Sequence, residues 1–293
     1  MLNTETLVGR DLESSRIQAC LEAGRNILLE GPVGVGKTHL AVSAARALGR
    51  PVFRIDGDSR YTEQKLTGWF DPPAVLKKGY VEETFIPGAL VSAMKSGGVL
   101  LINELNRLPE GVQNVLLPAI DERILAIPYL RTISADSKFV VIATQNPKEF
   151  VATSHLSEAI LDRFELLLLG YQSEEEETQI VLGHAGGGSR QIPELAVRLA
   201  RATRADLRFR RGASVRAAIS QTQIAAQLIK SGEALVSAFV EAAVLAYPNR
   251  IEIERESLSQ KTASEEIEAI VRELAEKALA GLGGDGNSKK KPK

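Results

Sequence analysis

Residues Gly31-Pro-Val-Gly-Val-Gly-Lys-Thr38 form a complete G-x-x-x-x-G-K-[ST] pattern. An apolar run, Asn26-Ile-Leu-Leu-Glu30, precedes it, and a good helix former, His39-Leu-Ala-Val-Ser-Ala-Ala-Arg-Ala-Leu48, follows it. Strand, glycine loop and helix are the context in which this pattern cradles phosphates: Gly31, Gly34 and Gly36 let backbone N–H groups turn inward, and the helix N-terminus adds partial positive charge. Lys37 supplies a point charge for the β- and γ-phosphates, and the Thr38 hydroxyl can coordinate Mg²⁺. The segment predicts a nucleoside-triphosphate site.

The remaining hydrophobic pattern fits an α/β scaffold around that loop. Pro51-Val-Phe-Arg-Ile55, Val99-Leu-Leu-Ile102, Phe139-Val-Val-Ile-Ala143 and Glu165-Leu-Leu-Leu-Leu169 read as further strands. With the strand before the loop they make five, separated by helical segments, as in a parallel sheet with helices on both faces. From Ser173 onward the periodicity is helical. Ser173-Glu-Glu-Glu-Glu177 caps a helix with an acidic first turn, further helices are expected over residues 193–203, 214–230 and 232–246, and loops over 186–189 and 208–212. A last amphipathic helix from Ser264 aligns Ile267, Ile270, Val271, Leu274 and Ala278. The domain reading is therefore an α/β nucleotide-binding core over 1–171, a helical unit over 172–281 and a low-complexity, disordered tail over 282–293.

Composition bounds the alternatives. The chain of 293 residues carries 36 basic and 37 acidic side chains, a net charge of -1, so no global field recruits nucleic acid or anionic membrane. Cys20 stands alone, which excludes an intrachain disulfide and suits a reducing compartment. No run is long and apolar enough for a membrane span, the start lacks signal-peptide features, and a cytoplasmic location is expected. His39, His155 and His184 lack metal-ligand spacing. An Asn-Lys-x-Asp guanine-recognition motif and a Leu-Ser-Gly-Gly signature are both missing.

Four further signals follow the phosphate loop in order. Gly97-Gly-Val-Leu-Leu-Ile-Asn-Glu104 is an apolar strand ending in two polar residues, where an ATPase needs one group for a Mg²⁺-bound water and an acid for the attacking water. Glu104 fits the second role; the first place holds Asn103 rather than Asp. Ala143-Thr-Gln-Asn-Pro147 offers Asn146 to the γ-phosphate or the attacking water. Leu161-Asp-Arg-Phe164 offers Arg163 as an arginine finger to a neighbouring subunit, and Gly212-Ala-Ser-Val-Arg-Ala-Ala218 starts a helix that carries Arg216.

On these residues the chain resembles the MoxR family of AAA+ ATPases, from about Val8-Gly9 to the last helix near Ala280. The resemblance implies an AAA+ P-loop three-layer fold with a five-stranded parallel sheet, followed by an all-helical lid. It implies nucleotide contacts from Val8, Gly9, Gly31, Pro32, Val33, Gly34, Val35, Gly36, Lys37, Thr38 and His39. Thr38 and Asn103 would serve the metal, and Glu104, Asn146, Arg163 and Arg216 would act in catalysis. ATP and Mg²⁺ are the implied cofactors. A hexameric ring, a von Willebrand factor A domain partner and a protein client are the implied associations. Residues 67–88 would be the helix-2 insert, and residues 127–138 the hairpin before Asn146. Asn103 departs from the family's usual Asp. A unit charge at about 4 Å is worth roughly 4 kcal/mol at an effective dielectric of 20, so weaker Mg²⁺ retention and slow turnover are expected. Three functions stay open: a ring that remodels a protein client, a nucleotide-dependent scaffold or switch with slow hydrolysis, and a nucleic-acid motor suggested by Arg201, Arg204, Arg208, Arg210 and Arg211.

Overall fold

The computed structural model describes residues 7–147, 156–185, 189–254 and 262–280. His155, most of the 186–189 loop and the tail over 282–293 lie outside them. The described residues form two compact units, one within Glu5–Tyr171 and the other from Gln172 onward.

The first unit is built on a five-stranded sheet of β1 (Ile27–Glu30), β2 (Val52–Asp56), β3 (Val99–Asn103), β4 (Val140–Gln145) and β5 (Glu165–Leu168), in the spatial order β2-β3-β4-β1-β5. Every neighbouring pair is parallel. A parallel sheet needs cover on both faces, which is why its central strands read as unbroken apolar runs. Alternate residues serve the two layers. Ile27, Leu29, Val99, Leu101, Val140 and Ile142 pack with Leu40, Ala41 and Ala45 of the helix Lys37–Ala47 and with Ile17 and Leu21 of the helix Asp11–Glu22. Leu28, Leu100, Ile102, Val141 and Ala143 pack on the other side with Leu90, Val91 and Met94 of the helix Ala89–Ser96. The sheet is thus the middle of three layers. Its edge strand β5 departs from the buried run that its leucines suggest, since Leu166 and Leu168 stay 56% and 67% exposed.

Between β2 and β3, Gly68–Phe70 pairs antiparallel with Phe85–Pro87 around the helix Pro72–Lys78. The hairpin before Asn146 begins earlier than the expected residue 127. Ile124–Leu125 pairs with Ile133–Ser134, because Leu125 and Ile133 both bury against the core. Tyr80 of the first excursion stacks on Tyr129 of the second at 4.4 Å between ring centroids, and Phe70 meets Tyr80 edge-on at 4.9 Å.

The second unit comprises the helices Glu174–His184, Gln191–Ala205, Val215–Lys230, Leu235–Ala246 and Ala263–Ala280. Ser173 caps the first: its hydroxyl accepts from the Glu176 N–H while the Glu176 carboxylate accepts from the Ser173 N–H. Ile267, Ile270, Val271 and Leu274 of the last helix enter the core as their spacing predicts, around the fully buried Tyr247, whose hydroxyl donates to the Ala196 carbonyl at 3.0 Å. One addition to this helical unit is a short antiparallel ladder, Phe209–Arg211 with Glu252–Ile253, too brief for a period-2 pattern to announce it.

Candidate functional site

The phosphate loop leaves the C-terminal end of β1 and enters the helix Lys37–Ala47 through Gly36, whose φ of +88° lies in the left-handed region where a side chain is strained. Lys37 is buried, and a buried ammonium must satisfy its three donors. Its Nζ donates to the carbonyls of Gly31 at 2.7 Å and Pro32 at 2.8 Å, and to Asn146 Oδ1 at 2.9 Å. A side chain on the loop and one 109 residues later thus share a bond, because β1 and β4 are sheet neighbours and end side by side.

Asn103, at the end of β3, gathers a second set of hydrogen bonds. Thr38 Oγ1 donates to Asn103 Oδ1 at 2.6 Å, and Thr144 Oγ1 donates to the same oxygen at 3.0 Å. The Asn103 amide nitrogen donates to Asp56 Oδ1 at 3.0 Å. Arg54 donates to the same carboxylate at 2.8 Å and, followed by the Asn103 amide, holds the Asp56 carboxyl below the ordinary range against the upward effect of burial. These oxygens suit a hard cation of the Mg²⁺ kind, in which a Thr hydroxyl and substrate phosphates do most of the ligation. Among the described residues no cluster of three or more His, Cys, Asp or Glu side chains could hold a metal unaided.

Glu104 adopts the left-handed conformation, φ 58° and ψ 56°, at a cost of about 1–2 kcal/mol for a residue with a Cβ. Its N–H donates to Thr144 Oγ1 at 3.0 Å, and its carbonyl accepts from the Arg107 N–H at 2.9 Å. One carboxylate oxygen accepts from Asn146 Nδ2 at 3.4 Å and the other from Arg107 Nη1 at 2.6 Å. Asn146 therefore bridges Lys37 and Glu104, with its oxygen on the ammonium and its nitrogen on the carboxylate. Only this amide orientation suits both partners.

Val8 and Gly9 lie on the segment leading to Arg10. The buried Arg10 guanidinium donates to the Val35 carbonyl at 3.2 Å and the Gly170 carbonyl at 2.7 Å, and pairs with Glu13 at 2.6 Å. That strap ties the segment to the loop of residues 31–38. His39 follows Thr38 on the first turn of the helix.

Arg163 is not among these residues. It sits just before the start of β5, and its carbonyl accepts from Asn26, just before β1, at 3.4 Å. In a parallel sheet that is the end opposite the phosphate loop, and a four-residue strand such as β1 separates the two ends by about 13 Å. Its guanidinium donates to Asp121 and to the Ala159 carbonyl, and the Asp121 hydrogen bond holds its pKa above the ordinary value. Arg216 lies in the second unit, exposed on the first turn of the helix Val215–Lys230.

Four of the five arginines behind the nucleic-acid reading have acidic partners. Arg201 and Arg204 reach the buried Glu177 at 3.3 and 2.7 Å, Arg208 reaches Asp206 at 2.6 Å and Glu273 at 2.9 Å, and Arg210 reaches Glu252 at 3.7 Å.

Four residues of this network escape a reading of motifs: Arg10, Asp56, Arg107 and Thr144. Thr144 stands inside the Ala143–Pro147 signal, which assigns a role to Asn146 alone, and Asp56 belongs to no pattern of fixed spacing. Asp56 could have been noticed as a lone acid at the end of a strand beside the phosphate-binding edge.

Residues 26–164 match the family AAA domain (dynein-related subfamily). The gas vesicle ATPase GvpN of Haloferax mediterranei is 32% identical over 206 residues, covering 65% of this chain and 59% of that protein. The chaperone MoxR1 of Mycobacterium tuberculosis is 34% identical over 176 residues, covering 60% of this chain and 44% of that protein. The chain thus spans less than two thirds of the length of either relative. Solved structures of Thermotoga maritima RuvB share the fold at 18–19% identity: one point mutant aligns with a TM-score of 0.59 over 97% of this chain and 85% of its own, and the Holliday junction branch migration motor with 0.54 over 95% and 84%. No helix among the described residues is long and apolar enough to cross a membrane.

Proposed function

We propose that this chain, whose residues 26–164 match an AAA domain family and which is similar to the chaperone MoxR1 and to gas vesicle ATPases, is an AAA+ protein that binds ATP with Mg²⁺ and hydrolyses it in a ring of its own copies. The observation that carries the reading is the convergence of Lys37, Asn146 and Glu104 through one amide, beside the Thr38–Asn103 bond. Lys37 would exchange its carbonyl and amide partners for phosphate oxygens. Thr38 and Asn103 would serve Mg²⁺, whose role is to neutralise charge on the phosphates. Glu104 would accept a proton from the water that attacks the γ-phosphorus, with ADP leaving; Asn146 would hold that carboxylate in register with the lysine.

Arg163, at the opposite end of the sheet from its own loop, would meet the nucleotide of a neighbouring subunit, and the proposed ring is a hexamer. Arg216 would be a further catalytic residue. A cytoplasmic location, a protein client remodelled in chaperone fashion and a von Willebrand factor A domain partner belong to the same proposal. The name of the MoxR1 chaperone supports the client. The switch reading draws on the Glu104–Arg107 pair, which occupies the proposed base. The nucleic-acid reading loses most of its motive, because Arg201, Arg204, Arg208 and Arg210, four of the five arginines that prompted it, are paired with acids.

The test is phosphate release and nucleotide binding by the purified chain, with its mass measured with and without ATP. Magnesium-dependent turnover and an ATP-dependent ring are expected. Phosphate release equal in wild type and Lys37→Ala overturns the reading.

A further inference from the structure

Resting on the ATP·Mg²⁺ reading above, we infer that Asp56 is a positioning residue of the metal side, so that the acidic charge expected at position 103 stands one strand over, on β2. Asp56 and Asn103 are register partners at the ends of adjacent parallel strands. The strand ends are locked together: the Gly57 N–H donates to the Asn103 carbonyl at 2.7 Å, and a Cβ on Gly57 would lie 2.1 Å from the Glu104 carbonyl oxygen. Asp56 cannot drift from its neighbour without breaking this seam.

An ionised carboxylate only accepts hydrogen bonds. The Asn103 group facing Asp56 at 3.0 Å must therefore be its amide nitrogen. That choice turns the amide oxygen towards Thr38 at 2.6 Å and Thr144 at 3.0 Å, whose hydroxyls donate to it. Without the carboxylate, an amide could turn its nitrogen to the same hydroxyls, and the metal side would then present a donor to a cation. The bond also polarises the amide, because a charge-assisted donor–acceptor pair strengthens the next bond in a chain. Asn103 thereby relays part of the Asp56 charge to Thr38. Arg54 draws on the same carboxylate from the solvent side and moderates that charge.

The consequence runs against the simplest expectation for Asn103→Asp. That substitution does not refill an empty place; it sets a second carboxylate about 3 Å from the first, where like charges repel. The charge swap Asp56→Asn with Asn103→Asp restores one acid and one amide with their places exchanged.

The experiment is a double-mutant cycle on the full chain: wild type, Asp56→Asn, Asn103→Asp and the swap. Two quantities are read, the thermal midpoint without nucleotide or metal, and equilibrium binding of a fluorescent ADP analogue titrated with Mg²⁺. Asn103→Asp should lower the apo midpoint by about 2–4 °C, and the swap should recover most of it. Asp56→Asn should raise the Mg²⁺ needed for half-maximal binding by about tenfold, and the swap should return it towards wild type. If the wild type binds nucleotide in a Mg²⁺-dependent way while the Asp56→Asn titration superimposes on it, the inference fails and the ATP reading stands. A wild type that binds no nucleotide at any Mg²⁺ concentration overturns both. Strictly additive midpoints in the cycle overturn the pairing of Asp56 with Asn103.

Discussion

The Arg163 guanidinium is clasped by the Asp121 carboxylate of its own chain at 2.6 Å, at the end of the sheet opposite Lys37. A cation held there cannot serve the phosphate loop of the same chain. If it acts in trans, Arg163→Ala should keep ATP binding and lose hydrolysis by about a thousandfold. Mixed with Lys37→Ala, it should regain activity, because one junction then pairs an intact loop with an intact arginine. No recovery in demonstrably mixed rings would sink the trans assignment.

Lys37→Ala should abolish nucleotide binding, since its ammonium is the full positive charge that the loop of residues 31–38 itself carries. Glu104→Gln should bind ATP as wild type does and stop turnover, because an amide cannot take the proton of the attacking water. Affinity and phosphate release measured on both variants decide this. Wild-type turnover by the Gln variant would remove Glu104 from the role of base.

Glu104 holds a left-handed backbone that favours glycine. Glu104→Gly should therefore be more stable than Glu104→Ala by about 1 kcal/mol, although glycine elsewhere costs stability. Chemical denaturation of the two variants compares them directly. Equal midpoints would mean that the Thr144 and Arg107 bonds leave no strain to relieve.

In the second unit, Asp206 accepts from Nε and Nη2 of Arg208 and from the Arg208 N–H, and these bonds hold its carboxyl below the ordinary range. A depressed folded-state pKa stabilises above the unfolded value of about 3.9 and is lost as pH falls through the folded one. Asp206→Asn should thus cost about 1 kcal/mol near neutrality and progressively less below about pH 4. Thermal melts of both proteins from pH 7 to pH 3 test it. A gap that widens towards acid would contradict the sign.

Local chemistry alone made much of this molecule readable. The phosphate loop, the five strands and the Ser173 cap are written in runs of neighbouring residues, where periodicity and glycine placement dictate backbone shape. The ends of the sheet strands follow within two residues because an apolar run and its polar stop define them. Side-chain pairing across the sheet carries no such signature. That Asn146 joins Lys37 to Glu104, and that Asp56 meets Asn103, depends on the order β2-β3-β4-β1-β5, which brings strand ends 42 to 109 residues apart into hydrogen-bond range. The same order puts β5 on an edge and leaves Leu166 and Leu168 exposed, where the run of leucines looked like core. Spacing along a chain specifies which residues can be neighbours on one element. Which strands lie side by side is settled by packing two apolar layers onto one sheet, and with it comes the identity of the carboxylate that faces Asn103.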